Sequence, residues 1–580
     1  MDHASLEMSA SAKSREATPI EQVDAVVAKL KAQATPFART SPAEKARVIR
    51  ECMATLSEVA RDWVKAGCEH KGLPFDGPAS GEEWLGGPMV TMRNLRLTAE
   101  QLESIARTGK PALDASKIRR GRDGRAEVEV FPNTTVEKAL YGGVTATVRM
   151  EQGMGPDEVR ARMGSFYSKK DPEGGVCLIL GAGNVASIPP MDAIYKLFTE
   201  GEVCVVKLNP VNEYLAPIFE RAFAPMISRA WLAFVRGGAD VGKHLVEHAS
   251  ISSVHITGSD RTHDAIVWGA DPEEQKRRKE SDDPKLTKPI SSELGCVTPV
   301  VIVPGPYSDA ELAQMSEYIA TMVVNNASCN CNAGKMLVTQ KGWGPRDALL
   351  ARVRSVLAGQ KPRKAYYPGA FDRYEKLVGE REGVEKLGAA AEGELPWTLV
   401  TGLDAGDEGE ALFTTEPFCP ILSEAQIDEA DTAAFIRKAT AFCNDTLWGT
   451  LSGVVFIHPR TEADPEAGAA FNEMLDQLRY GAVGVNQWTG MVYGLVTAPW
   501  GAHPSSTLKD IQGGLGWVHN TFMLEGIEKV ILRGPLTQFP KPPLFVTARK
   551  THEMGPKLVD LEREPGLLKV PGIALLALQG

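Results

Sequence analysis

Residues 176–210 read VCLILGAGNVASIPPMDAIYKLFTEGEVCVVKLNP. An apolar run over 176–180 ends in a glycine loop, residues 190–200 carry helical spacing, and a second apolar run fills 203–207. Two short strands separated by a helix are joined by a right-handed crossover, which lays them parallel. The same alternation continues outward. A helical stretch over 214–230 is followed by a strand at 232–235, a helix through His248 and a strand at 253–257. It resumes after 289, with strand candidates at 299–303, 336–339, 398–400 and 454–457 and a helix opened by the capping box Ser308-Asp309-Ala310-Glu311. The expected fold class is α/β, with two doubly wound parallel-sheet domains.

The flanks read differently. Residues 20–110 are helical, and Ser41-Pro42-Ala43-Glu44 is a capping box with proline at the first helical position. KIRRGRDGR at 117–125 reads as a solvated connector. Over 126–154 valine and alanine alternate with polar residues, as in an antiparallel strand pair standing apart from the helices. DPEEQKRRKESDDPK at 271–285 holds almost nothing apolar and reads as an exposed loop. From 536 onward the chain is expected to wrap over the surface. Its end, PGIALLALQG, is too short to span a bilayer and is expected to dock on the protein or seal a subunit interface rather than line a tunnel.

Composition narrows the function. The chain has 580 residues, enough for two or three domains, with 64 basic and 74 acidic residues and a net charge of −10. That balance argues against nucleic acid as a partner and against a polybasic membrane surface. No apolar run approaches a membrane span. The nine cysteines are odd in number and scattered, which fits a reducing, cytoplasmic setting. Residues 1–19 lack the pattern of a secretory signal and read as a disordered tail.

Four places carry candidate chemistry. Gly181-Ala182-Gly183-Asn184-Val185-Ala186 suits either a dinucleotide-binding loop or a plain tight turn, because the acid that would hold a ribose is missing and the next strand ends in Lys207. Thr257-Gly258-Ser259 stands before a helix that could present free N–H groups to an anion, or could simply be an N-cap. Glu293, in Ser291-Ser292-Glu293-Leu294-Gly295-Cys296, suits a cleft or a surface. Cys329-Asn330-Cys331-Asn332-Ala333-Gly334 sets two cysteines in a polar loop, as a reactive thiolate requires, with no neighbouring His or Cys to complete a metal site.

Taken in order, these pieces resemble the aldehyde dehydrogenase superfamily over roughly 140–535. Val206-Lys207 resembles its cofactor-lysine strand, Ile256-Thr257-Gly258-Ser259 its Thr-Gly-Ser motif, Glu293-Leu294-Gly295 its general-base motif and Cys331-Asn332-Ala333-Gly334 its nucleophile motif. Glu416-Pro417-Phe418-Cys419-Pro420, Asn444 through Gly449, Val485-Asn486 and Pro499-Trp500-Gly501 resemble later landmarks. The resemblance implies a Rossmann-like cofactor domain (20–125 and 157–288), a small β oligomerisation arm (126–156), a catalytic domain (289–510), and a return segment with C-terminal extension (511–580).

It also implies roles. Cys331 is the nucleophile on an aldehyde, giving a thiohemiacetal and then a thioester; Glu293 is the base for hydrolysis and Asn184 the oxyanion amide. Lys207, Thr257, Gly258, Ser259, Leu294, Gly295, Glu416 and Phe418 surround NAD or NADP. The implied assembly is a homo-oligomer, and no metal is implied. Departures mark a divergent member. Ala182-Gly183 precedes Asn184 where the family has Pro-Trp, Ser328 replaces a glutamine, Cys419 replaces a glycine, and Pro210 replaces a glutamate that favours NAD. The Gly-Asn-Val loop also resembles the fatty-acyl reductase branch, and coenzyme-A-acylating dehydrogenases are a further alternative; Glu293 favours acid formation.

Overall fold

The computed structural model describes residues 17–580. Residues 1–16, most of the expected tail, lie outside the described residues; Thr18 is fixed by hydrogen bonds with the backbone of Arg236.

Two sheets organise the chain. The first has six strands in the order Gly514–Leu515, Ile290–Glu293, Ser253–Thr257, Val176–Leu180, Val203–Lys207, Leu232–Val235. All neighbours are parallel except the first pair. The chain enters at Val176–Leu180, winds outward to Leu232–Val235, then returns to the other side. The crevice at the carboxyl ends of Val176–Leu180 and Ser253–Thr257 is therefore a topological switch point, where open α/β sheets place their ligands. Helices Ile20–Arg39, Pro42–Lys71 and Val90–Thr108 cover this sheet and share its apolar core. Ser41 caps the second through the Glu44 N–H, but the Glu44 carboxylate turns to Arg47, so only half of the expected box forms.

The second sheet has eleven strands, in the order Ile118–Arg120, Ala126–Phe131, Thr145–Met150, Ile527–Arg533, Ala482–Val485, Ser452–Phe456, Pro299–Ile302, Met336–Gln340, Ile421–Ile427, Trp397–Asp404, Val384–Leu387. From Ile527–Arg533 to Trp397–Asp404 it is parallel. Val301, Val338 and Val455 enter one core, whereas Val300, Leu337 and Val454 enter another, as side chains alternating across a doubly covered sheet must.

The 126–154 pair is antiparallel, as expected, and Ile527–Arg533 bonds to Thr145–Met150 on one side and to Ala482–Val485 on the other, joining the pair to the large sheet. Three expectations need correction. The 117–125 connector is a hairpin, with Ile118–Arg120 paired to residues 126–128 and Arg125 bonded to Asp123 and Glu528. The loop at 271–285 contains helix Pro272–Ser281, none of whose residues is buried. Asp271 caps it, proline sits in the first turn, and Glu274 pairs with Arg278 one turn on; local terms suffice where an apolar face is lacking. The apolar chain end docks on the protein as expected, as helix Val570–Leu578 against Thr551–Arg563, but its inner face also lines a cavity.

Candidate active site

The loop between helix Asp309–Val324 and strand Met336–Gln340 carries Cys331. It enters through three consecutive left-handed residues, Asn326, Ala327 and Ser328, with φ of 53°, 55° and 63°. None is glycine, so the conformation is strained and must be held from outside. Asn326 holds it: its amide donates to the carbonyls of Asn184 (3.1 Å) and Cys329 (3.0 Å), its N–H to Glu82 (2.9 Å), and its side-chain oxygen accepts from Tyr366 (2.8 Å). Lys71 and Tyr366 also donate to the Asn184 carbonyl. The nucleophile loop and the asparagine loop are thereby fixed to one another.

Asn184, Glu293 and Cys331 line a single cavity of about 1210 Å³. Glu293 ends its strand buried, and the Cys331 thiol donates to its Oε1 at 3.3 Å. The Asn184 amide donates to the Cys329 carbonyl at 3.0 Å, which leaves its second N–H free to point elsewhere. Among the nine cysteines, all unpaired, Cys331 alone is not fully buried. Cys329 is closed off, its thiol turned to the carbonyls of Ala327 and Phe418.

Burial, reinforced by the nearby Asp192 carboxylate, raises the Glu293 carboxyl to about 7. Burial and the charge of Glu293 push the Cys331 thiol well up, while Lys335 opposes them. A protonated thiol against a base near neutrality is the resting state that follows.

The other predicted residues do not line this cavity. Lys207, Thr257 and Glu293 all end parallel strands at the carboxyl edge of the six-stranded sheet. Gly258 and Ser259 are exposed there, and the Ser259 hydroxyl caps helix Asp260–Trp268 through the Thr262 N–H. The Thr257 hydroxyl turns inward to Asp192 at 3.0 Å. Burial lowers the Lys207 ammonium to about 8. Gly295 admits Glu416: a β-carbon there would lie 1.9 Å from its Oε2. Phe418, at a φ of 45°, sets its ring edge-on to Tyr367, centroids 4.8 Å apart.

Two partners were not expected. Lys335 bonds to the Asn330 and Cys331 carbonyls and pairs with Glu416 at 2.8 Å, tying the nucleophile loop to the Glu416 loop. Its place directly after Ala333-Gly334 was the available signal. Asp192 is buried in helix Ile188–Tyr195 and receives Thr257 and His255. A lone acid inside the apolar stretch IPPMDAIY was its signal. Among the described residues no cluster of His, Cys, Asp and Glu could hold a metal ion.

Comparison with known proteins defines the class. The family model described as the aldehyde dehydrogenase family matches residues 143–519, and the chain belongs to that family of oxidoreductases. A 1-pyrroline-5-carboxylate dehydrogenase of Bacillus subtilis (strain 168) is 24% identical over 304 residues, which is 48% of this chain and 55% of that protein, so the match spans about half the relative's length. The fold resembles that of an NADP-dependent glyceraldehyde-3-phosphate dehydrogenase from Bacillus halodurans C-125, complexed with NADP, with 16% identity, a TM-score of 0.57, and coverage of 89% of this chain and 92% of that one. It also resembles an indole-3-acetaldehyde dehydrogenase complexed with NAD+, with 18% identity, a TM-score of 0.58, and coverage of 90% and 92%.

Proposed function

We propose that this chain oxidises an aldehyde to a carboxylic acid with NAD or NADP, through thiohemiacetal and thioester stages on Cys331. The observation that carries the reading is the 3.3 Å contact between the Cys331 thiol and the Glu293 carboxylate, in one cavity with the Asn184 amide.

The residues for the dinucleotide fit a cofactor of that kind. Lys207 brings an ammonium to the switch-point crevice, Gly258 and Ser259 leave the start of a nine-residue helix exposed to a pyrophosphate, and Glu416 is positioned by Lys335 with its second oxygen unshared by that pair. When bound, a nicotinamide supplies the acceptor for the two electrons that leave the substrate. Relatives with either dinucleotide are known, and the choice between them is part of the test.

The chain's own steps follow from the geometry. Glu293 takes the thiol proton, and the Cys331 sulfur bonds to the carbonyl carbon while the π electrons move to oxygen. The Asn184 amide and the Cys331 N–H stabilise that oxyanion. After oxidation the carbon is a thioester. Glu293, its proton passed to cavity water, then removes a proton from a water that adds to the thioester; the C–S bond breaks and the acid departs.

Purified protein is incubated with propanal or decanal and each dinucleotide, and separately with an acyl-coenzyme A and each reduced dinucleotide. Dinucleotide reduction with stoichiometric acid is expected. Consumption of only the acyl thioester would favour the reductive alternative.

A further inference from the structure

The cavity that holds Cys331 has a wall from beyond the family-matched region. Its lining holds Asn184, Glu293 and Cys331 together with Leu544, Phe545, Leu558, Val570, Ile573 and Ala574. The last six belong to the extension after residue 535, whereas the family match ends at 519. At about 1210 Å³ the space exceeds the roughly 300–1,000 Å³ of ordinary small-molecule clefts. A two- or three-carbon aldehyde would leave most of it to water.

The wall is built rather than draped. Glu562, buried in helix Thr551–Arg563, pairs with Arg93 at 3.0 Å and also with Arg96. Arg93 donates in turn to the carbonyl of Leu495, itself a lining residue, at 3.0 Å. Gly555 meets Trp84 so closely that a β-carbon would lie 2.3 Å from the indole.

The lining is polar around Cys331, where Asn184, Asn326, Asn330 and Asn332 are buried, and apolar along Leu544, Phe545, Leu558, Val570, Ile573 and Ala574. Among the described residues its buried charges are Lys71, Glu83 and Glu293, and the first two pair with each other at 2.7 Å. Glu82 and Arg363 also pair, at 3.0 Å. Helix Val570–Leu578 contains no charged or hydrogen-bonding side chain, yet only Ile573 and Ala577 are buried. A helix apolar all round is ordinarily covered on all sides. Here Val570 and Ala574 line the cavity and are left partly open, while Leu575 and Leu578, outside its lining, are exposed.

We propose that residues 536–580 form the outer wall of the substrate channel, and that the channel selects aldehydes with a long unbranched hydrocarbon tail, the tail lying against helix Val570–Leu578. This rests on the proposed aldehyde oxidation for its chemistry, but not for its binding surface.

Two readouts separate the claims. The first is kcat/KM for straight-chain aldehydes from ethanal to decanal on the full-length protein, which should climb with chain length by up to about fourfold per methylene. In Ala574→Asp, at a partly exposed position, the decanal-to-propanal ratio should fall by about tenfold or more, the worth of two buried methylenes; Ala574→Val should preserve it. A flat chain-length profile, or a ratio unmoved in Ala574→Asp, overturns the proposal. The second needs no turnover: 1-decanol should slow iodoacetamide labelling of Cys331 in the native chain and in Ala574→Val, but not in Ala574→Asp, with ethanol inert in all three. Protection without turnover of any aldehyde would sink the catalytic reading and leave the channel standing. Equal effects of decanol and ethanol would sink the channel.

Discussion

At the scale of single residues, the decisive pair is a thiol and a carboxyl whose proton affinities are both raised by burial. Cys331→Ala removes the nucleophile and should abolish turnover while dinucleotide affinity, measured by fluorescence titration, stays within about twofold; near-normal rates in that variant would refute the assignment. Glu293 keeps its proton to about pH 7 because burial disfavours its charge. The base form therefore grows as pH rises through 7. Hydrolysis-limited rates should climb about tenfold per unit below that value and level off above it. Glu293→Gln should slow the burst of reduced dinucleotide, because the thiol loses its proton acceptor, and should block thioester hydrolysis still more, so that the burst is followed by a stall with no such pH limb. The stability effect has a definite sign too. The unfolded carboxyl releases its proton near 4.5 and the folded one near 7, so the native state loses stability as pH rises between those values. The glutamine variant should gain more in Tm at pH 8 than at pH 5. Cys331, Glu293 and Asn184 could be singled out in the sequence because each lies in a short run of characteristic neighbours. Tyr366 could not, since its partners Asn326 and Asn184 are brought to it only by the fold.

At the scale of elements, two helices carry charges that burial should forbid. Lys45, in helix Pro42–Lys71, is fully buried and its ammonium finds no hydrogen-bond acceptor. It sits over the rings of Phe37, Phe166 and Tyr167, at 4.4, 4.9 and 5.0 Å from their centroids. Cation–π attraction offsets only part of the desolvation, and the ammonium falls to about 7. Between 7 and the ordinary value of 10.5 the unfolded chain binds the extra proton, so stability rises with pH across that window. Lys45→Met should raise Tm at pH 7 and abolish that rise, as read from melts at several pH values. Glu562 presents the reverse case. Removing it strands Arg93 and Arg96, so Glu562→Ala should cost about 3–5 kcal/mol in denaturant melts and loosen the extension first. The strand and helix pattern of 176–257 was legible because apolar runs and helical spacing set it locally. Helix Pro272–Ser281 was not, because its stability comes from a cap and charge pairs rather than an apolar stripe.

At the scale of the whole molecule, two sheets meet so that the base comes from one and the nucleophile loop from the other. Strand Ile290–Glu293 lies in the smaller sheet between Gly514–Leu515 and Ser253–Thr257, and the larger sheet positions Cys331 between Asp309–Val324 and Met336–Gln340. No helix of the described residues is long and apolar enough to cross a membrane. The α/β class and both runs of parallel strands could be read from the chain. The joining of residues 118–150 to the large sheet could not, because periodicity reports which face of a strand is buried and says nothing of which strand lies beside it.

That joining has a temporal consequence. Strand Thr145–Met150 acquires its second neighbour, Ile527–Arg533, only when the last tenth of the polypeptide has begun to emerge. At roughly 5–20 residues per second of synthesis, the hairpin made early must wait on the order of half a minute with one row of amides unpaired. The nascent protein therefore has most need of a chaperone while its arm is complete and its final strand is still inside the ribosome.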